Sequence, residues 1–201
     1  MWDEKYAVKE YVFGTAPNDF LFEMSGQLKK GSVLCLAEGE GRNAVHLARL
    51  GFAPTAVDSS QVGLVKAEKL ANESGVSIQT VVADLSTYKI EPGAWDCIVS
   101  IYCHLPPDLR RRIHKDVVAG LNEGGTFLLE AYTPKQLEFK TGGPKSAEYL
   151  MELASLKEEL DGLEFIHGKE LVRDVVEGTK HTGKGSVVQV LARKTQRPDN
   201  R

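Results

Sequence analysis

Twelve residues constrain this chain more than any other stretch: Ser32-Val33-Leu34-Cys35-Leu36-Ala37-Glu38-Gly39-Glu40-Gly41-Arg42-Asn43. An apolar run leads into an acidic glycine loop, and an amphipathic segment starts directly behind it. The pattern reads as strand, tight turn, helix. Gly39 and Gly41 carry no Cβ, so the backbone there can turn sharply and admit a ligand at close range. A helix starting near Arg42 or Asn43 aims its free N–H groups at that ligand. The loop carries Glu38 and Glu40 and lacks a Gly-Lys-Ser/Thr ending, so it is poorly suited to a phosphate.

The alternation continues along the chain. Strands are expected at residues 33–36, 55–57, 78–82, 95–101 and 126–131. Helices are expected at 42–49, from a Ser59-Ser60 cap to 73, and from Pro106-Pro107-Asp108 to 121. Runs such as Cys97-Ile98-Val99 and Phe127-Leu128-Leu129 are apolar on both faces, which means a parallel sheet covered by helices on both sides. Right-handed crossovers make that a doubly wound α/β fold. Ahead of it, residues 2–11 read as an amphipathic helix, and Asn18 or Asp19 can cap a second helix to 28. After Tyr132 come a polar loop (134–143), a helix (147–160) and two alternating segments (163–176 and 186–193) joined by a flexible 178–185 connection. Strands joined without a helix are antiparallel. The expected organisation is a single domain over residues 1–195, with 1–30 as a helical cover and a disordered tail at 196–201.

Composition narrows the functional classes. The chain has 201 residues and 42% apolar content, enough for one well-buried core. A net charge of −3 and a pI of about 6.0 give no electrostatic case for a nucleic-acid partner. The cysteines, Cys35, Cys97 and Cys103, form neither a disulfide framework nor a metal-ligand pattern. Cys35 and Cys97 read as buried thiols. The start, Trp2-Asp3-Glu4-Lys5, is polar, and no run reaches the ~18 apolar residues of a membrane helix. A cytoplasmic protein without a membrane partner is expected.

In an open α/β sheet, ligands sit at the carboxyl ends of the strands. Those ends carry the 38–43 loop, Asp58 and Ser59, Ala83-Asp84-Leu85, and the stretch from Ser100 to His104. Asp58 is placed to accept both hydroxyls of a ribose, Asp84 to accept from an adenine amino group, and Ile101 or Tyr102 to flank the adenine. An acidic loop beside them suits S-adenosylmethionine (SAM), with its sulfonium and amino group. The expected cofactor residues are Glu38, Gly39, Glu40, Gly41, Arg42, Asn43, Asp58, Ser59, Ala83, Asp84, Leu85 and Ile101.

On these residues the chain resembles the class I SAM-dependent methyltransferases, and within them the TehB-like (tellurite-resistance) and thiopurine-methyltransferase-like branch. The resemblance rests on Val33 to Asn43, Thr55-Ala56-Val57-Asp58, Val82-Ala83-Asp84-Leu85, the Trp95 to Ile101 strand and the Gly120 to Gly125 turn. The segments from Trp2 to Tyr6 and from Gly14 to Leu21 also look like this branch, where they help cover the cofactor. Cys35 stands where the family usually has Asp or Glu, and Ala37 where its first glycine usually is. The missing carboxylate normally helps anchor the cofactor's amino group, which makes Glu38 or Glu40 the candidate substitute.

The resemblance implies tellurite, selenite and related small acceptors. The expected activity is methyl transfer to a small molecule, a thiol or a tellurite- or selenite-like oxyanion. His104, beside the methyl-transfer position, can orient an acceptor or take its proton. Arg173 and His181, with Lys180, Thr182 and Lys184, can meet an oxyanion, and Tyr11 and Tyr132 can offer hydroxyls. Arg110-Arg111-Arg112 and His114 read as a solvated helix face. Two alternatives stay open: a SAM-binding module without transfer, and a dinucleotide site, since Gly39-x-Gly41-x-x-Ala44 satisfies G-x-G-x-x-A with Asp58 nineteen residues after Gly39. No metal is expected, and the sequence does not encode a legible oligomeric state.

Overall fold

The computed structural model describes residues 2–178 and 181–195, so the expected tail at 196–201 lies outside the described residues. Seven strands form one sheet: β1 (Ser32–Leu36), β2 (Ala53–Asp58), β3 (Gln79–Val82), β4 (Trp95–Ile101), β5 (Leu121–Tyr132), β6 (Leu163–Glu177) and β7 (His181–Lys194). Their order is β3-β2-β1-β4-β5-β7-β6. The first five are mutually parallel where they pair. β7 runs antiparallel to both β5 and β6, as the missing crossover helix requires. The helices are α1 (Trp2–Tyr6), α2 (Asp19–Met24), α3 (Arg42–Arg49), α4 (Gln61–Glu73), α5 (Pro107–Gly120) and α6 (Leu153–Glu159).

Successive residues of the central strands feed opposite faces. Leu34, Leu36, Ile98, Phe127 and Leu129 build one apolar layer. Val33, Cys35, Cys97, Val99 and Leu128 build the other. Caps fix where the helices begin. Asn18 Oδ1 accepts from Leu21 N at 3.0 Å to start α2, and Ser60 Oγ accepts from Gly63 N at 3.0 Å to start α4. Gly51, at φ 84°, ends α3 in the left-handed conformation that glycine adopts without a Cβ penalty.

Tertiary bonds override local pattern in four places. α1 stops at Tyr6 rather than 11, because Lys66 Nζ collects the carbonyls of Tyr6, Val8 and Glu10 at 3.4, 3.0 and 2.6 Å. The 147–160 segment is a 3₁₀ turn (Ala147–Tyr149) followed by the separate helix α6. Between them Met151 N donates to Tyr132 O at 2.9 Å, pulling the chain back onto β5. β7 begins at His181 instead of 186. The expected flexible connection is mostly strand, with Thr182 to Gly185 paired to Val176 to Arg173.

The fourth correction concerns α5. Arg110 and His114 are buried, not solvated. Arg110 donates from Nε to Glu159 Oε1 at 3.1 Å and from Nη2 at 2.9 Å, while His114 Nδ1 lies 2.6 Å from Glu159 Oε2. Arg110 Nη1 also donates to the carbonyls of Glu148 and Leu150, at 3.2 and 3.4 Å. Burial alone would raise the Glu159 carboxyl, but His114 and Arg110 outweigh it and hold the group at about 2. Arg111 does stay exposed, beside Asp108. Among the described residues, no helix is long and apolar enough to cross a membrane.

Candidate cofactor and acceptor site

A cavity of about 980 Å³ opens at the carboxyl ends of β1, β2 and β4. Ten of the twelve expected cofactor residues line it: Glu38, Glu40, Arg42, Asn43, Asp58, Ser59, Ala83, Asp84, Leu85 and Ile101. Gly39 and Gly41 lie just beneath. Their φ angles are 64° and 89°, and a Cβ on either would come within 2.5 Å of Tyr6 Oη or Ala67 Cβ. The glycines therefore serve the loop's packing as well as its turn. Ala37 at φ 50° and Tyr102 at φ 52° are L-residues in the left-handed region on the cavity wall, the kind of strain that concentrates at functional sites.

The two loop carboxylates have separate tasks. Glu38 Oε1 accepts from Asn43 N at 2.9 Å and Ala44 N at 2.7 Å, capping α3. Burial pushes its pKa up to about 7, against the pull of those two N–H groups and Arg42. Glu40 instead holds the N-terminal segment. Its Oε2 accepts from Val12 N at 2.8 Å, and its Oε1 lies 2.5 Å from Lys66 Nζ. Asp58 accepts from Gly39 N through Oδ2 and from Ser60 N through Oδ1, both at 2.8 Å. Burial raises its pKa. Asp84 is solvated, accepts from Ser86 N at 2.7 Å, and is held below the usual carboxylate range by Ser86. Above this floor lies a strap. Asp3 Oδ1 accepts from Ser60 Oγ at 2.5 Å and Val62 N at 3.2 Å, and buried Tyr6 stacks on Trp2 with ring centroids 5.6 Å apart.

The far end of the cavity is aromatic. Tyr102, Tyr132, Tyr149 and His104 line it together with residues 143–146. His104 is where the sequence reading places it, but main chain engages both of its nitrogens. Nδ1 lies 2.9 Å from Tyr149 O, and Nε2 accepts from Tyr132 N at 3.4 Å. That pairing fits a ring whose Nδ1 donates and whose Nε2 accepts. The ring also stacks on Tyr132 at 5.7 Å with an 8° interplanar angle.

Arg173 and His181 do not join His104 as an acceptor site. Arg173 is absent from the cavity wall and sits in a buried polar network, donating to Glu130 at 2.6 Å and to Asp19 at 2.8 Å. Burial opposes its charge, but Glu130 outweighs burial and raises its pKa. Glu130 also accepts from Tyr102 Oη at 2.7 Å, Asn18 Nδ2 at 3.0 Å and Gln189 Nε2 at 2.5 Å. Glu177 accepts from Asn18 Nδ2 at 2.8 Å and Arg42 Nη2 at 2.6 Å. Two buried carboxylates thus face two guanidinium groups, which keeps the network near neutral. His181 begins β7 opposite Glu177; its side chain lies outside the described residues, as does Lys180. Tyr11 donates to Lys66 O at 3.2 Å, under the strap. Sequence reasoning missed Tyr149, Lys66 and Asn18's bonds to both carboxylates, because each depends on long-range contacts.

Residues 33–125 match the family model described as "Methyltransferase domain". No curated protein sequence matches the chain. Among solved structures, the protein of "Conversion of a Disulfide Bond into a Thioacetal Group during Echinomycin Biosynthesis" is similar, with 18% identity over 98% of this chain and 89% of that one and a TM-score of 0.76. TehB from Haemophilus influenzae is 21% identical, with 96% of this chain and 66% of that one covered and a TM-score of 0.73. A SAM-dependent methyltransferase from Methanosarcina mazei is 16% identical, with 90% and 100% covered and a TM-score of 0.67. The fold is therefore the class I methyltransferase fold, with its antiparallel edge. SAM is the cofactor that the domain match and these neighbours imply.

The cavity fits that cofactor. Asp58 presents buried carboxylate oxygens at the end of β2, Asp84 an exposed one beyond β3, and the glycine loop a close backbone approach. Among the described residues, no group of three or more His, Cys, Asp and Glu side chains could hold a metal ion.

Proposed function

We propose that the protein methylates a small molecule whose attacking atom already carries its lone pair at neutral pH, with thiolates and selenite- or tellurite-like oxyanions foremost. The carrying observation is the acceptor end of the cavity. Its wall is aromatic, and His104 has both nitrogens bonded to main chain rather than poised to take a proton. A soft nucleophile needs no general base; it needs alignment and exclusion of water. Bound SAM would supply an electrophilic methyl group. Asp58 would hold the ribose, Asp84 the adenine edge, and the strap over residues 2–14 would shut out solvent. Lys145, at the rim, would favour an anionic acceptor. The sulfur chemistry named for the echinomycin protein and the likeness to TehB support this class of acceptor. The carboxylate-bearing loop and the antiparallel β7 speak against the dinucleotide alternative.

Calorimetry with S-adenosylhomocysteine tests the cofactor site, with NAD as control and Asp58→Ala as the variant. The expected result is binding of the homocysteine compound alone, weakened about tenfold or more in the variant. Binding of NAD instead overturns the assignment. Transfer of labelled methyl from SAM to thiols, selenite and tellurite then tests the acceptor class. Cofactor binding with no transfer to any of them favours the SAM-binding module.

A further inference from the structure

Cys35 is fully buried in one apolar layer of the sheet, and its thiol is pushed up by that burial and by the nearby charge of Glu38. The neighbourhood that a carboxylate at position 35 would serve is thus already served from the loop. We propose that Glu38, through Oε2, binds the amino group of the cofactor's methionine part in place of the strand carboxylate that Cys35 lacks. This rests on the SAM reading above.

The assignment follows from which carboxylate oxygen is uncommitted. Glu40 has none: Val12 and Phe13 N–H groups occupy Oε2, and Lys66 occupies Oε1. Glu38 spends only Oε1, on Asn43 and Ala44. Among the described residues, both hydrogen bonds that Glu38 accepts end on Oε1, which leaves Oε2 uncommitted, and the side chain lines the cavity. The charged and titratable groups facing Glu38 are Arg42 from α3, Asp58 from β2, Tyr6 from α1 and Cys35 from β1. Arg42 is the one cation among these, and its Nη2 already lies 2.6 Å from Glu177. An ammonium group arriving from the cavity would supply the positive charge that this carboxylate lacks.

Calorimetry at pH 8 compares S-adenosylhomocysteine with 5′-methylthioadenosine, which keeps the adenosine part and lacks the amino acid. The proteins are wild type and Glu38→Gln, whose amide oxygen can still cap α3. The expected result is a loss of about 10- to 100-fold for the homocysteine compound in the variant, with methylthioadenosine affinity unchanged. Wild-type affinity for the homocysteine compound should also fall about tenfold from pH 8 to pH 6 as Glu38 takes up a proton, a dependence the variant lacks. Equal loss of both ligands, or no loss of either, overturns the proposal, as does a flat wild-type pH profile. Wild type binding neither ligand overturns the cofactor reading and this proposal with it.

Discussion

Replacing Glu159 by Gln probes the clamp that ties α5 to the acceptor end of the cavity. One carboxylate there meets two nitrogens of Arg110 and one of His114, and Arg110 also holds the carbonyls on either side of Tyr149. An unfolded glutamate titrates near ~4.3, whereas the folded group is held at about 2. At about 1.36 kcal/mol per unit, that gap amounts to about 3 kcal/mol of stability near neutral pH. Because the folded value is the lower one, the contribution is complete well above ~4.3 and drains away as pH falls toward the folded value. Urea unfolding, followed by tryptophan fluorescence, should show Glu159→Gln less stable than wild type by about 3 kcal/mol at pH 7 and by about half that at pH 3. The side chain is 8% exposed, so solvent screening removes little of the effect. A gap below about 0.5 kcal/mol at pH 7, or one of equal size at both pH values, would refute the clamp as an electrostatic device.

Other perturbations address the loop and strap. Ala37→Gly should raise stability by about 1 kcal/mol, because φ 50° is strained for alanine; a lowered melting temperature contradicts this. Lys66→Met should speed hydrogen exchange over residues 6–13 by releasing three carbonyls and Glu40 together; wild-type protection there would exclude Lys66 as the anchor. Asn18→Ala removes a helix cap and bonds to two buried carboxylates, so a loss of about 2–4 kcal/mol in urea unfolding is expected, and one under about 1 kcal/mol would count against the network. In the ligand-free protein, Glu38→Gln should gain stability above pH 7, by up to about 3 kcal/mol, since a carboxyl raised to about 7 opposes folding once ionised; a loss at pH 8 argues otherwise.

What the sequence disclosed follows from what is local. The 38–43 loop, Asp58 and the 83–85 segment sit at strand ends, and strand ends are legible from apolar runs and turn residues. Arg110 was legible too, with a different count: residues 110, 113, 114 and 117 share one helical stripe, and Ile113 and Val117 mark it as buried. Three consecutive arginines hid that periodicity. Arg173 likewise falls on the odd-numbered, inward set of β6 with Val175 and Glu177. The start of β7 was obscured by Gly183 and Gly185, which read as loop but sit in the strand against Thr141 and Tyr132 side chains. The division of labour between Glu38 and Glu40 was beyond local reading, because Val12 and Lys66, which occupy Glu40, lie 28 and 26 residues away.

The position of β7 also governs how the molecule can be made. It is the last strand among the described residues, yet it lies between β5 and β6. Until residues 181–194 have left the ribosome, β5 keeps an open hydrogen-bonding edge and the apolar clusters beside it lack Val187, Val188 and Val190. The cofactor loop can assemble early around β1 and α3, but Glu130 and Glu177 meet their shared partners only when the hairpin docks. A nascent chain released short of β7 would hold most of the binding floor but leave β5 and β6 without their pairing partner, and would be the species that chaperones must shield.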